Sequence, residues 1–109
     1  MPSPDFTAQI VKAMEPTFKQ SEENSKGLIE MFFGEDCVAR MTFSRMDSSN
    51  VIIDHTAVDP KLKGTGAGKK IVEHLVEWAR SNNQKVLPLC PFTKAVLAKN
   101  ESWRDIIRK

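Results

Sequence analysis

The chain contains no tyrosine, two cysteines and five glycines among its 109 residues, and aromatics make up 7% of it. The absence of tyrosine removes the phenol from its stock of proton donors. Cys37 and Cys90 lie far apart in sequence, which gives neither a disulfide lattice nor a Cys-x-x-Cys metal clamp, so no structural metal is expected. No apolar run approaches the roughly 18 to 20 residues that cross a bilayer. The start, Met1-Pro2-Ser3-Pro4-Asp5, has neither a basic head nor an apolar core of a leader, so a cytoplasmic address with no membrane partner is expected. The length suits one domain and is too short for two.

What is present is unevenly charged. The net charge is +2, but residues 1–60 hold ten acids against five bases and residues 61–109 four acids against eleven bases. That asymmetry points to an anionic ligand on the second half. Nucleic acid is not expected, because Trp78 and Trp103 are not interleaved with basic residues as a stacking platform requires, and the first half is acidic.

Three of the six prolines fall in residues 1–16, which read as a loosely docked arm with Phe6, Ile10 and Met14 as its apolar positions; a single domain then spans 17–109. β-prone stretches at 17–20, 28–33, 37–45 and 51–58 are divided by turn-forming clusters, which predicts an antiparallel meander. In the third stretch, alternation puts Val38, Arg40 and Thr42 on one face and Ala39, Met41 and Phe43 on the other. After Asp59-Pro60 the period becomes helical, with Gly68, Ile71, Val72, Leu75, Val76 and Ala79 on one face to about Asn82. A short strand at 85–89 implies a parallel, right-handed crossover; Pro91 opens a second helix to about Lys99, and a last short helix follows near 103–108. The expectation is one α+β domain, a mixed and mostly antiparallel sheet with a βαβ crossover.

Between the fourth strand and the long helix lies Lys61-Leu62-Lys63-Gly64-Thr65-Gly66-Ala67-Gly68-Lys69-Lys70. It is not a Walker loop, which would need glycine at Lys63 and Ser or Thr at Lys70. It is not a dinucleotide fingerprint either, since the third glycine would fall on Lys69 or Ile71. What remains is the physics both motifs share: glycines allow close backbone approach, and a helix start offers unpaired N–H groups and a positive dipole end. With Lys63, Lys69 and Lys70 adding attraction, a pyrophosphate fits there.

Cys90 is placed by local rules. Pro91 suits the first helical position and biases its predecessor towards extended geometry, so Cys90 falls at the N-cap, where a helix dipole lowers a thiol pKa. A small buried residue ending a strand is the competing reading. Cys37 reads as core. His55, on the fourth strand between Asp54 and Thr56, is a candidate general base or a structural histidine, and His74 a surface residue of the long helix.

The run from Lys63 to Gly68, after a strand ending His55-Thr56-Ala57-Val58, resembles the acyl-CoA loop of the GNAT superfamily of N-acetyltransferases, whose pattern is Gln/Arg-x-x-Gly-x-Gly/Ala. Lys63 falls among the basic residues at its head, where Gln or Arg is usual. His55-Thr56-x-Val58, the loop, and Leu89-Cys90-Pro91-Phe92 followed by Ser102-Trp103 are together similar to a subfamily of very small GNAT-like proteins with a Cys after the fifth core strand; the likeness spans roughly 17–107. The resemblance implies acetyl-CoA as cofactor and an amine, small-molecule or protein-borne, as acceptor. It also implies a V-shaped splay between the fourth and fifth strands holding the pantetheine arm against the backbone of Thr56, Ala57 and Val58. Diphosphate contacts would come from Gly64, Thr65, Gly66, Ala67, Gly68 and Lys69, with Lys63 beside them. Enzymes of this kind use a Tyr to protonate the departing thiolate, and this chain has none. Cys90 is then a substitute acid, a transiently acylated nucleophile, or part of a module that binds acyl-CoA without transferring it.

Overall fold

The computed structural model describes residues 15–62 and 66–108. Five strands, β1 (Thr17–Glu23), β2 (Lys26–Phe33), β3 (Asp36–Arg45), β4 (Asn50–Val58) and β5 (Lys85–Pro88), form one sheet in sequence order, the first four antiparallel and β5 parallel to β4. The crossover is helix α1 (Ala67–Ser81), preceded by a 3₁₀ turn at Pro60–Leu62; helix α2 (Pro91–Lys99) follows β5, and a 3₁₀ segment (Glu101–Ile106) follows α2. This is the expected α+β fold. No described helix is long and apolar enough to cross a membrane.

The meander is tight because its turns are chemically prepared. Asn24 and Ser25 both take positive φ (52° and 65°), the geometry of a two-residue hairpin, so β1 extends to Glu23 through what reads in sequence as a polar loop. Between β3 and β4, Asp47 accepts from the Ser49 N–H (2.8 Å) and the Asn50 side chain (2.9 Å).

Strict alternation fails twice, and each failure matters. The β2–β3 register shifts at Met31/Phe32, leaving Val38 as the extra residue; it is buried with Ala39 instead of sharing the outer face with Arg40. The β3–β4 register shifts at Thr42/Phe43, leaving Asp54 extra. Beyond that bulge the faces of β4 exchange: Val51 and Ile53 point into the core before it, Thr56 after it.

Among the described residues, the helices lie on one face of the sheet. Ile29, Met31, Met41, Phe43, Val51 and Ile53 meet Ile71, Val72, Leu75, Val76 and Ala79 of α1 and Leu97 of α2, all essentially inaccessible. Burying each of these larger side chains contributes about 1.5 to 3 kcal/mol. The edge strand β1 is held to α1 by a stack of Phe18 on His74 (ring centroids 4.1 Å apart), with His74 also 3.3 Å from the Gln20 side chain. At the other edge the expected last helix is the 3₁₀ segment, after which Ile107 bridges to Val86 and the Arg108 N–H donates to the Val86 carbonyl (2.8 Å), covering part of the β5 edge.

Candidate active site

The site is made where β4 and β5 part. Their ladder runs from Asn50↔Lys85 to Ile53↔Pro88 and stops. The N–H groups of Leu89 and Cys90 both donate to the carbonyl of Ile53 (3.1 and 3.2 Å), and Pro91 then turns the chain into α2. β4 continues to Val58 paired only with β3, so from Asp54 onward its other edge faces an opening. Pro88, which has no N–H, and Pro91, which suits the first helical position, end β5 here.

α1 begins on the far side of the opening. Its N-cap is Gly66, at φ 87° and ψ 4°, in the left-handed region that disfavours other residues. The Lys70 N–H closes the first helical bond onto the Gly66 carbonyl (3.1 Å). Gly66 brings no side chain to cap this start, and no acidic residue lies in its first turn, while Lys69 and Lys70 do. A helix start of positive dipole left without an internal anion is suited to an external one. Gly68 is required for a separate reason: the Phe92 ring occupies the space a side chain there would need.

A cleft of about 360 Å³ joins these parts. Of the residues expected to bind cofactor, Thr56, Val58, Gly66, Gly68 and Lys69 line it. Ala67 is buried beneath it in the helix, and Ala57, one residue from each of two lining positions, is exposed on the opposite face of the sheet. Lys63, Gly64 and Thr65 lie outside the described residues, as do residues 1–14 of the expected arm. Leu62, Phe92 and Val96 complete the lining and were missed in the sequence. Phe92 and Val96 sit four residues apart on α2, a helical spacing that signals one shared face once the helix itself is recognised.

Cys90 is the N-cap of α2, as expected, with extended backbone (φ −73°, ψ 122°), and it is 5% exposed. Its thiol makes no capping hydrogen bond in the neutral form. Burial pushes its pKa up, but the Thr93 N–H, the Thr56 hydroxyl and the N–H groups of Phe92 and Thr56 together outweigh burial and hold the thiol below its ordinary value. The Thr56 hydroxyl is 2.8 Å from that of Thr93, and both residues are buried. Thr93 was not singled out in the sequence; the only signal was a polar residue four before Leu97 on a buried helical face.

The structure does not bring His55 to this cleft. After the bulge it faces the side of the sheet opposite α1 and α2, exposed, with its carbonyl 3.5 Å from the Thr42 hydroxyl. Cys37 is half-buried on that same side, its thiol 3.7 Å from the Glu30 carboxylate, rather than in the core as its sequence suggested.

The family model of the GCN5-related N-acetyl-transferases matches residues 29–106, from β2 to the end of the 3₁₀ segment. The chain belongs to this family. A GCN5-like protein from Staphylococcus aureus is 33% identical, over 83% of this chain and 87% of that one, with a TM-score of 0.62. Two more distant structures show the fold: a GNAT family acetyltransferase from Elizabethkingia anophelis with acetyl-CoA bound (14% identity, 92% of this chain and 60% of that one, TM-score 0.59), and a ribosomal-protein-alanine N-acetyltransferase from Brucella melitensis biovar Abortus 2308 (15%, 80% and 64%, TM-score 0.56). No curated protein matches the chain.

Proposed function

We propose that this member of the GNAT family is an N-acetyltransferase of the very small subfamily, taking acetyl from acetyl-CoA to an amine. The observation that carries the reading is the opening between β4 and β5 beyond Ile53, with a glycine-led, acid-free helix start at one end and a thiol of lowered pKa at the other. The residues present fit the cofactor: no atom of the described residues beyond its chain neighbours lies within 4 Å of where a side chain would stand on Gly66, leaving room for a diphosphate over the N–H groups of Gly68 and Lys69. Backbone of Thr56 to Val58 offers an unpaired strand edge to the pantetheine amides, as in strand addition.

Bound acetyl-CoA supplies an activated acetyl thioester. The chain's own residues orient it, with Phe92 and Val96 excluding water from one wall of the cleft. Cys90 takes the place of the missing tyrosine and holds a proton at Sγ for the sulfur that departs when the amine nitrogen bonds to the acetyl carbon. Its burial leaves little room for an acyl group, which favours proton donation over covalent relay. The amine gives up its proton to solvent at the open edge of the cleft, since His55 faces the other side of the sheet.

Incubation with acetyl-CoA and a panel of amines is expected to release CoA and acetylate an amine. A thermal shift with no CoA release supports instead a module that binds or senses acyl-CoA, the reading favoured by the absence of tyrosine. A mass gain of about 42 Da on Cys90 would make the thiol a nucleophile rather than an acid. We place the enzyme in the cytosol, on the strength of its two unbridged thiols.

A further inference from the structure

We infer that Thr93 is a positioning residue: its hydroxyl, bonded to that of Thr56, aims the Thr56 O–H at Cys90 and so governs when the thiol gives up its proton. The inference builds on the role given to Cys90 above, but it is tested without acetyl-CoA.

The sheet itself cannot fix Thr56 against Cys90, because the β4–β5 ladder ends three residues before Thr56. Among the described residues, the 2.8 Å contact between the Thr56 and Thr93 hydroxyls is the side-chain hydrogen bond that ties the outer half of β4 to α2. Thr93 is fully inaccessible and one helical turn before Leu97, a position where an apolar residue would pack without desolvating a hydroxyl. Thr56 is only 8% exposed. Both hydroxyls are thus largely withdrawn from water, and no buried side-chain N or O among the described residues lacks a hydrogen-bond partner.

Each hydroxyl carries one hydrogen, and a bond between two hydroxyls consumes only one of the two. When Thr93 donates to Thr56, the Thr56 hydrogen is left for a third acceptor, and the sulfur whose pKa this hydroxyl helps to lower is Cys90 Sγ. When Thr56 donates to Thr93, that hydrogen is withdrawn from the sulfur. A thiolate selects the first arrangement and a thiol accommodates the second, so the pair has two positions coupled to one proton.

Among the described residues, charged groups do not compete with this control. Lys94 on α2 is exposed, Lys69 on α1 lies 5.8 Å from the centre of the Trp103 ring, and Asp54 and His55 on β4 are exposed on the far side of the bulge. What favours the thiolate comes from dipoles, those of Thr93 and Thr56 foremost and the Phe92 N–H after them. α2 has only nine residues, so its own dipole is modest.

The test is the pH profile of Cys90 alkylation by iodoacetamide in the chain alone, read peptide by peptide by mass spectrometry, with Cys37 as internal reference. The thiolate displaces iodide, so the rate follows the thiolate fraction. Thr93→Val, which keeps shape and loses the hydroxyl, is expected to move the Cys90 inflection to higher pH and to slow its alkylation at neutral pH by about three- to tenfold, because the Thr56 O–H loses the donor that holds it on the sulfur and strengthens its bond there. Cys37 should be unchanged and Thr93→Ser should restore the wild-type profile. Coincident profiles for Thr93→Val and wild type overturn the inference. A second measurement needs no variant: in the wild type, the β-carbon resonances of Thr56 and Thr93 should titrate with the same inflection as Cys90, and resonances that do not move with pH overturn it equally. A shifted profile in a protein that releases no CoA would leave the inference standing and remove the acyltransfer reading.

Discussion

Two helices start on the same cleft and meet it with different chemistry. α1 opens on Gly66 with a left-handed backbone, no capping side chain of its own and two lysines in its first turn, all of which suits a ligand of high negative charge. α2 opens on Cys90 and Pro91, with buried Thr93 in its first turn and no acid there, and its N–H groups face a sulfur supplied by the chain. The positive end of a helix is thus left to an outside ligand in the reading proposed for α1, whereas in α2 the N–H groups of Phe92 and Thr93 are turned on the Cys90 sulfur. What separates the cases is the cap residue: a glycine leaves open space, a cysteine fills it.

Substitutions at the two starts should therefore separate chemistry from binding. The largest effect is expected from Cys90→Ser, which should keep CoA affinity and lower turnover by about a hundredfold, as for loss of one acid group; steady-state rates within a factor of two of wild type would remove Cys90 from the chemistry. Gly68→Val pushes Phe92 from its place and should weaken CoA binding at least about tenfold in calorimetry, because both the helix start and the cleft wall shift. An affinity equal to wild type would show that the α1 start is not where the cofactor sits. Gly66→Ala must hold φ 87° and puts a methyl group in the space given to the diphosphate, so about 1 kcal/mol of stability should be lost in denaturant unfolding and CoA affinity should fall several-fold. The smallest effect belongs to Lys69→Ala: a few-fold loss of CoA affinity at low salt that fades as ionic strength rises. A loss independent of salt would mean that Lys69 makes a desolvated contact.

Stability against pH follows from groups outside the cleft. Burial lowers the His74 pKa, partly opposed by Glu77 nearby, so the folded state resists protonation there. Stability supplied by neutral His74 is present above its unfolded pKa of about 6.5 and is lost as pH falls towards the lower folded value. The ion pairs of Glu22 with Arg45 (2.8 Å) and Asp105 with Arg80 (2.6 Å) hold both carboxyls below their usual range, and their contribution is lost at still lower pH, as they protonate. Thermal unfolding should therefore weaken in two stages on acidification, with His74→Phe removing the first.

Much of this is legible in the sequence because it rests on short-range rules. The turn residues give the meander, the period of Ile71, Val72, Leu75, Val76 and Ala79 gives α1, and Pro91 gives both the start of α2 and the N-cap position of Cys90. What was not legible depends on register. The unpaired Asp54 reverses the faces of β4, which turns Thr56 into the cleft and His55 out of it, and nothing in the local pattern of 51–58 marks a bulge. Thr93 became visible only when its partner, 37 residues earlier, was brought to it. Phe92, 39% exposed, reads as a surface residue until it is seen lying on Gly68.

The most direct test is titration of the isotope-labelled chain with coenzyme A at low ionic strength, followed through its backbone amide resonances. The account predicts saturable shifts concentrated at Gly66 to Lys69 and at Thr56 to Val58, with Phe92 following. Shifts centred instead on Lys85, Arg104 and Arg108, the basic hollow at the opposite end of β5, or no shifts at all, would contradict it.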